Sequence, residues 1–294
     1  MFKGMGKTIA AGLTGAGAFA AAGVAAAQQA GTELLGDLPV IGAPAGGAAT
    51  GFQPAATELA RDVQWLDTMV MSIMIVIVLF VTGLMAWVSI RYNSRVNKEP
   101  ARFSHNTPVE IAWTIIPVLI LIVIGSFSLP VLFKQVRIPD PDLTIKATGY
   151  QWYWEYEYPD QEHGFAAYML PKEDMAAYGY DEKWFQLAAD NAVIVPTNAN
   201  VKLLVTGGDV IHSWAMPAFG VKMDAIPGRL NETWFNVEQE GIYFGQCSEL
   251  CGKDHAFMPI TVKAVSQEKF DAYMNSVQQA KLPTESTTEL ASAE

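Results

Sequence analysis

The amino-acid sequence predicts a two-helix transmembrane hairpin followed by an exported all-β domain of the sandwich or barrel class. Two long apolar runs lie in the first half of the chain, and each is long enough to cross a bilayer as a helix. Short runs rich in β-forming residues, separated by turn residues, fill most of the second half. The N-terminal segment has the composition of an export signal, which agrees with a β domain outside the cytoplasm.

The first 27 residues are typical of a cleaved signal peptide. Lys3 and Lys7 precede a weakly apolar stretch rich in Ala and Gly, and Ala25-Ala26-Ala27 supplies the small residues of a cleavage site. We therefore expect the mature protein to lack residues 1–27.

An extended arm and the hairpin are predicted next. Residues 28–64 are rich in Gly, Ala and Pro and show little periodicity, so we expect an arm that leans on a larger body and not a packed domain. The hairpin occupies residues 65–133. Its apolar runs, 69–90 and 109–133, contain 22 and 25 residues. A helix needs about 20 apolar residues to span the hydrocarbon core, so both runs are long enough.

The connection between the two helices, residues 91–107, predicts the orientation. Its basic residues outnumber its single acidic residue, Glu99, and they are Arg91, Arg95, Lys98 and Arg102. Because Lys and Arg accumulate in cytoplasmic loops, we expect this loop in the cytoplasm and both termini on the opposite side. A cleaved export signal requires the same orientation.

Glu110 lies at the predicted start of the second helix, where two compatible roles are open for it. Thr107-Pro108-Val109-Glu110 fits a capping box with Pro in the first helical position, in which the carboxylate closes the helix N-terminus. A carboxyl group at the membrane boundary is also a candidate entrance for protons.

The exported domain, predicted over residues 134–281, carries the charge excess of the chain. From Lys134 onward the sequence has 12 Lys/Arg and 23 Asp/Glu, and this acidic excess equals the net charge of −11 of the whole chain. Such a charge argues against nucleic acid as a partner and suits the steering of a basic protein. Residues 282–294 are predicted to form a flexible tail.

Several runs in this domain alternate or are rich in β-formers, and we expect strands at Leu143–Thr148, Gln151–Tyr158, Ala192–Val195, Val201–Thr206, Thr233–Val237, Ile242–Gly245 and Ile260–Val265. Regular alternation in the second run would put Trp152, Trp154, Tyr156 and Tyr158 on one face, where they either pack the sandwich or couple a docked redox partner. Ser266 is predicted to cap a final helix.

A cluster of soft and borderline metal ligands lies near the C-terminus. Cys247, Cys251, His255 and Met258 follow a C-x3-C-x3-H-x2-M spacing, and His212 precedes the first Cys by 35 residues. Thiolate, imidazole and thioether together select copper over hard ions such as magnesium. A blue copper site needs one Cys, so the second Cys indicates a second copper ion.

Other interpretations of the two cysteines remain open. A disulfide is common in exported chains, and zinc fits the Cys/His spacing, but a disulfide gives no role to the other three residues and zinc rarely takes Met. A membrane-tethered copper chaperone or thiol oxidoreductase could cycle the Cys247/Cys251 pair, usually on a thioredoxin-like βαβ scaffold. His212 counts as a ligand because the other histidines, His105 and His163, lie in polar surroundings typical of loops.

Together these features resemble subunit II of bacterial, mitochondrial-like heme-copper cytochrome c oxidases, which carry a dinuclear copper A centre. The resemblance covers nearly the whole mature chain, and its most specific stretches are Cys247-Ser248-Glu249-Leu250-Cys251-Gly252, Met258-Pro259 and Gln151-Trp152-Tyr153-Trp154. It implies a cupredoxin-like β domain in the periplasm, joined to the transmembrane hairpin in the bacterial inner membrane.

For the metal site, the resemblance implies that Cys247 and Cys251 bridge two copper ions, with His212 and His255 as terminal ligands. Met258 is implied as a weak ligand to one copper ion. The backbone carbonyl of Glu249 is implied as a weak ligand to the other, and its side chain as a ligand to magnesium or manganese at the boundary with subunit I.

The resemblance also implies a function. Electrons would pass from cytochrome c through Trp152 to copper A and on to subunit I, whose hemes and copper reduce oxygen while protons are pumped. Glu110 matches the entrance of a proton pathway into subunit I. The acidic positions that match cytochrome c docking are Glu157, Asp190 and Asp209. The implied partners are subunit I, subunit III, cytochrome c and the lipid bilayer.

Overall fold

The computed structural model describes residues 35, 37–44 and 51–281. The predicted signal peptide and the predicted tail lie outside these residues. The chain divides into two compact units, of which one is Glu58–Ile138 and the other combines the described residues up to Thr57 with those from Pro139 onward.

The first unit is a helical hairpin of α1 (Glu58–Arg91) and α2 (Thr107–Val136). Both helices are apolar and long enough to cross a membrane, and each contains an 18-residue stretch with a mean hydropathy of 2.7. The start of α1 lies beside the end of α2, because Lys134 forms ion pairs with Glu58 and Asp62. The hairpin of apolar runs therefore forms as an antiparallel pair.

Both helices extend beyond the apolar runs. α1 begins at Glu58, so residues 58–64 of the predicted extended arm are helical. The hydropathy pattern marks only the apolar part of this helix. Its polar first turns are helical as well, although they carry no hydropathy signal. Glu58 lies in the first of these turns, where a carboxylate favours the helix N-terminus.

The N-terminus of α2 shows how Glu110 is used in the fold. Asn106 is the N-cap: its side-chain oxygen accepts a hydrogen bond from the Val109 amide at 3.4 Å. The Asn106 amide donates in return to the Glu110 carboxylate at 3.0 Å. The capping role of Glu110 is confirmed, but the predicted cap at Thr107 is wrong by one residue. Asn is at least as good an N-cap as Thr, and Pro108 then occupies the second helical position.

The second unit is a β sandwich with a short C-terminal helix. Its strands are β1 (Val40–Gly42), β2 (Leu143–Tyr150), β3 (Tyr153–Tyr158), β4 (His163–Ala167), β5 (Val193–Pro196), β6 (Val201–Gly207), β7 (His212–Met216), β8 (Val221–Ala225), β9 (Asn231–Phe235), β10 (Gly241–Cys247) and β11 (Pro259–Val265). Among the described residues they form two sheets. One has the order β5-β11-β10-β7-β8 with β1 beside β10, and the other has the order β4-β3-β2-β6-β9.

Part of the arm belongs to this unit. β1 pairs in parallel with the start of β10, through Val40 and Ile242. Further along, the Thr57 hydroxyl donates to the Phe219 carbonyl at 2.8 Å. The described part of the arm is thus held by backbone pairing and by buried side-chain hydrogen bonds.

All seven predicted strands are present, with ends that shift by a few residues, and four others were missed. β1 and β4 contain glycine, and β8 alternates apolar and charged residues over only five positions.

Two histidines lie in strands that the sequence did not predict. His163 was expected in a loop, but it is the first residue of β4 and its side chain is buried, at 3% exposure. His212 was expected after a strand, but it is the first residue of β7. Short strands with mixed composition give weak periodicity, so tertiary pairing determines them.

The aromatic run divides into two parts. Trp154, Tyr156 and Tyr158 are each at most 1% exposed, so packing of the sandwich accounts for them. The Tyr158 hydroxyl donates to the Ile194 carbonyl across the sheets at 2.9 Å. Trp152 precedes β3, in a turn at the end of the sandwich, and is only half-buried. The regular strand predicted from residue 151 is therefore wrong at its first two positions.

The remaining predicted elements also have defined places. Helix α3 (Gln267–Lys281) begins after Ser266, whose hydroxyl accepts from the Lys269 amide at 3.4 Å, which confirms the predicted cap. Between β4 and β5 lies an insertion, Pro171–Trp184, which contains two short 3-10 turns. It is anchored by Met175 and Tyr180, which are buried in a small cluster with Phe244.

Candidate metal centre

The pairing of β7 with β10 places the first imidazole beside the cysteine loop. Cys247, the last residue of β10, pairs with Trp214, and the Ser248 amide donates to the Ser213 carbonyl at 2.9 Å. Gly245 permits this approach, because a Cβ at that position would lie 2.1 Å from the carbonyl oxygen of the facing Ala215. His212 thus faces the loop that begins at Cys247.

The loop from β10 to β11 folds back on itself and collects the other ligands. A short 3-10 turn, His255–Phe257, returns the chain to Pro259, where β11 begins. Cys247, Cys251 and Met258 are buried, and His212 is fully buried. Predicted ligands that are far apart in sequence are therefore adjacent in space and shielded from solvent.

The donor atoms form a chain of short contacts. Cys247 Sγ lies 3.9 Å from His212 Nδ1 and 3.9 Å from Cys251 Sγ. Cys251 Sγ lies 3.6 Å from His255 Nδ1 and 3.6 Å from Met258 Sδ. The ligand atoms of His212, Cys247 and Cys251 lie within 4.8 Å of one another. The five side chains named as copper ligands therefore converge around the two cysteine sulfur atoms.

The donor set fits a metal and not a disulfide. A disulfide requires a sulfur separation of about 2.05 Å, whereas the two free cysteines here are 3.9 Å apart. An ion bound to both thiolates at about 2.3 Å allows the sulfurs to be up to roughly 4.6 Å apart. Two thiolates, two imidazoles and a thioether are soft or borderline donors that suit copper.

The two thiols differ in acidity. Burial raises the pKa of Cys247, but its contact with His212 and hydrogen bonds with backbone groups outweigh burial and lower the pKa to about 7. Burial and the neighbouring Cys247 raise the pKa of Cys251 to about 12. Because the thiolate is the metal ligand, Cys247 is prepared to bind and Cys251 releases its proton on binding.

Asp209 orients the His212 ring. Its carboxylate lies 2.8 Å from His212 Nε2, so the opposite ring nitrogen faces Cys247. The same carboxylate accepts the Gln151 amide at 2.8 Å. A carboxylate on the outer nitrogen of a ligating His fixes its tautomer and raises its basicity. From the sequence, docking was the single role expected for Asp209, although its position three residues before His212 was a signal for this orienting role.

Trp152 packs against the ligand loop. The Gln151 side-chain amide donates to the Cys251 carbonyl at 2.7 Å, which ties the turn before β3 to a ligand residue. Gly252 has a φ of +131°, and a Cβ there would lie 2.9 Å from Trp152 Cζ2. Glycine therefore lets the indole approach the backbone next to Cys251.

Other predicted site residues lie at or beyond the edge of the cluster. The backbone carbonyl of Glu249 accepts from Cys247 Sγ at 3.4 Å, while its side chain is exposed. Glu157 forms an ion pair with Lys146. Asp190 accepts hydrogen bonds from the Tyr168 and Asn191 amides, each at 2.7 Å. Glu110 belongs to the helical unit, at the start of α2.

The fold and the donor set define a class: a protein with an apolar helical hairpin and a β sandwich, in which the sandwich carries a buried site suited to soft metal ions such as copper. Comparison with known families agrees. Residues 143–265 match the periplasmic domain of cytochrome c oxidase subunit II, and residues 45–131 match its transmembrane domain.

Two relatives in other organisms match most of this chain, and a solved structure matches about half of it. Cytochrome c oxidase subunit 2 of Cereibacter sphaeroides is 51% identical over 275 residues, which cover 89% of this chain and 88% of the relative. The same subunit of Arabidopsis thaliana is 42% identical over 234 residues, which cover 77% of this chain and 88% of the relative. The crystal structure of the periplasmic domain of subunit II from Bradyrhizobium japonicum is 49% identical, with a TM-score of 0.44, and covers 49% of this chain and 98% of that chain.

The chain belongs to the cytochrome c oxidase subunit II family. It is a membrane protein and a subunit of an oxidoreductase complex, in which it assembles with other oxidase subunits. The β domain is of the cupredoxin-like kind expected for this family, and its His/Cys/Cys cluster is compatible with copper A.

Replacing Gly252 tests the contact between Trp152 and the ligand loop. Gly252→Ala forces either the indole or the loop to move, so we expect copper affinity to fall by about tenfold, as is typical when support for a metal ligand is lost. Gly228→Ala is the matched control, because Gly228 has a φ of +75° but nothing within 4 Å of the added Cβ. Competition with a copper chelator measures both variants, and equal affinities would show that the close contact does not matter.

Proposed function

We propose that this chain is the electron-accepting subunit of a cytochrome c oxidase: it takes electrons from cytochrome c at a dinuclear copper A centre and passes them to the heme and copper centres of subunit I. Oxygen reduction in subunit I would be coupled to proton pumping. The observation that supports this most is the buried cluster in which two unbonded cysteine sulfurs, 3.9 Å apart, are flanked by His212, His255 and Met258.

The proposed ligand roles follow the contacts around each sulfur. Cys247, Cys251, His212 and His255 would hold the two copper ions, and Met258 and the Glu249 carbonyl would bind them more weakly. When bound, such a centre supplies one-electron redox chemistry with the charge spread over two ions and two sulfurs. The chain contributes rigidity, because strand pairing and the Asp209 contact hold the ligand positions. Little ligand movement favours fast electron transfer.

The alternative of a copper chaperone or thiol oxidoreductase is less well supported. Redox-active cysteine pairs usually lie on a thioredoxin-like βαβ scaffold, whereas Cys247 ends a strand of a β sandwich. A thiol carrier also needs neither His255 nor Met258 near its sulfurs. If electron transfer persisted after His212→Ala, the thiol mechanism would regain support.

We place the chain in the bacterial inner membrane with both termini in the periplasm, since the loop between α1 and α2 is rich in Lys and Arg. Subunit I and subunit III are the proposed neighbours in the membrane. Trp152 is the proposed point at which electrons enter, because it packs on the backbone next to Cys251 and is partly accessible at the end of the sandwich.

Elemental analysis of the assembled oxidase tests the metal assignment. We expect two copper ions in this chain and the purple colour of a copper A centre, because both thiolates bridge. One copper ion with a blue-protein spectrum, or a Cys247–Cys251 disulfide, would contradict the assignment.

Glu249→Gln tests the second metal by the same elemental analysis. This variant should keep both copper ions, since the carbonyl is unchanged, but should lose magnesium or manganese, which prefers a carboxylate.

Trp152→Phe separates electron transfer from packing. The smaller ring keeps an apolar contact with Gly252 but weakens the coupling to a docked donor, so the rate of copper reduction by cytochrome c should fall by tenfold or more at full copper content. Stopped-flow absorbance measures the rate. Trp184→Phe in the insertion is the control and should react like the unchanged protein. Loss of copper in Trp152→Phe would instead assign the residue to packing.

Charge changes at one ion pair test the docking acids. Glu157 forms an ion pair with Lys146, so Glu157→Gln should raise the KM for cytochrome c and Lys146→Gln should lower it. Each change should be about two- to fivefold at low ionic strength, as for exposed charges, and should vanish at high salt. Asp209→Asn is less suitable because Asp209 also contacts His212. Effects that do not depend on salt would contradict electrostatic docking.

Glu110→Gln separates the two roles of that residue. The glutamine side chain retains an oxygen that can accept from the Asn106 amide, so the helix cap is preserved. It cannot carry a proton. If Glu110 is the proton-pathway entrance, oxidase turnover and proton uptake should fall severalfold while assembly and copper content stay normal. Unchanged proton uptake in a normally assembled complex would restrict Glu110 to capping.

A further inference from the structure

Lys253 lies directly beside the proposed point of electron transfer. It follows Gly252 in the ligand loop, and its ammonium lies 5.4 Å from the centroid of the Trp152 ring. The side chain is 77% exposed, and its ion-pair partner is the neighbouring Asp254, at 3.4 Å. A cation over an indole face is an attractive contact, so this placement is stabilised locally.

This position is unusual in its charge. From residue 134 onward the chain is strongly acidic, which suits a lysine-rich donor. At Trp152 itself, however, Lys253 adds a positive charge, while the nearby Asp209 is engaged with His212 and Gln151. Asp254 lines the same surface depression as Trp152, Tyr168 and Phe257. Its carboxylate forms the ion pair with Lys253. Lys253 therefore places a cation, paired with Asp254, directly against the Trp152 ring in an otherwise acidic domain.

We propose that Lys253 is a specificity-determining residue for the electron donor: it selects a c-type cytochrome that presents a carboxylate or carbonyl oxygen opposite Trp152, and it disfavours one that presents a lysine there. The inference rests on the proposed function, in which Trp152 receives electrons from a docked cytochrome. Like charges across an interface suppress wrong partners, and opposite charges set the register of docking.

A matched control exists in the insertion. Lys183 lies 4.9 Å from the ring centroid of Trp184, pairs with the neighbouring Asp181 at 3.2 Å and is 61% exposed. It therefore has the same three features as Lys253 but next to a different tryptophan. Lys183→Gln removes the same charge from the same kind of contact, so any effect of net charge alone appears in both variants.

The test uses assembled oxidase with unchanged Lys253, with Lys253→Gln, Lys253→Glu, Lys253→Arg or Lys183→Gln, and a lysine-rich cytochrome c as the donor. At low ionic strength, the KM should fall by about threefold in Lys253→Gln and further in Lys253→Glu, with kcat unchanged, as expected for a charge at an interface. The arginine variant and Lys183→Gln should behave like the unchanged protein. At high salt all differences should disappear.

Charge exchange in the donor adds direct proof of contact. Each lysine at the heme edge of the cytochrome is changed to Glu in turn. For one of these donors, the KM should be lower with the unchanged oxidase than with Lys253→Glu. The unaltered lysine-rich donor should show the opposite order of KM values. If no donor variant reverses the order, or if Lys253→Gln matches Lys183→Gln, the proposal is wrong. A fall in kcat at constant KM that Lys253→Arg restores would assign Lys253 to holding the Trp152 ring, which also overturns it.

These outcomes are separable from failure of the proposed function. If the unchanged oxidase does not oxidise cytochrome c with a salt-dependent KM, the electron-accepting role itself fails. If the unchanged oxidase does so and the Lys253 variants do not differ from Lys183→Gln, only the specificity inference fails.

Discussion

The register between β7 and β10 is the constraint on which the metal centre depends. Cys247 faces Trp214 in this pairing, so His212 lies beside the first sulfur of the ligand loop. A shift of one residue would turn His212 to the other face of its sheet and remove it from the cluster. Gly245 is part of this constraint, because a larger residue would meet the carbonyl oxygen of Ala215. The ligand loop alone supplies four of the five side-chain donors, and the sheet supplies the fifth.

A small polar network extends that constraint to the surface. Asp209 contacts the outer nitrogen of His212 and accepts the amide of Gln151, whose side chain in turn donates to the Cys251 carbonyl. The turn that carries Trp152 is thereby linked to a ligand on each side of the cluster. Because buried and partly buried hydrogen bonds of this kind polarise one another, the turn and the cluster are expected to behave as one rigid element. Rigidity of this kind suits the proposed relay of electrons, which requires no bound substrate.

The charges serve a different purpose from the core. The sandwich is closed by aromatic side chains such as Trp154, Tyr156 and Tyr158, which are buried and form no part of the proposed route to a partner. Acidic groups are spread over the exterior, and two of those assigned to docking, Glu157 and Asp190, also have partners within the domain. The excess negative charge therefore attracts a basic partner over the whole domain, whereas the proposed effect of Lys253 is confined to a single contact point.

Apolar run length, strand composition and ligand spacing were sufficient to predict the hairpin, seven strands and the five side-chain donors, because each signal is local and repeats along the chain. The cap at Asn106 was missed because Thr107 offers a similar cap one residue later. The short strands β4 and β8 and the burial of His163 were not predictable in this way, since they depend on pairing with neighbouring strands and on packing in the sandwich. Asp209 had a local signal, since it lies three residues before His212, whereas the contact of Lys253 with Trp152 joins segments far apart in the chain. Residue types state which chemistry a chain can perform, but only folding brings separate segments within bonding distance, because long-range packing and sheet register set those distances.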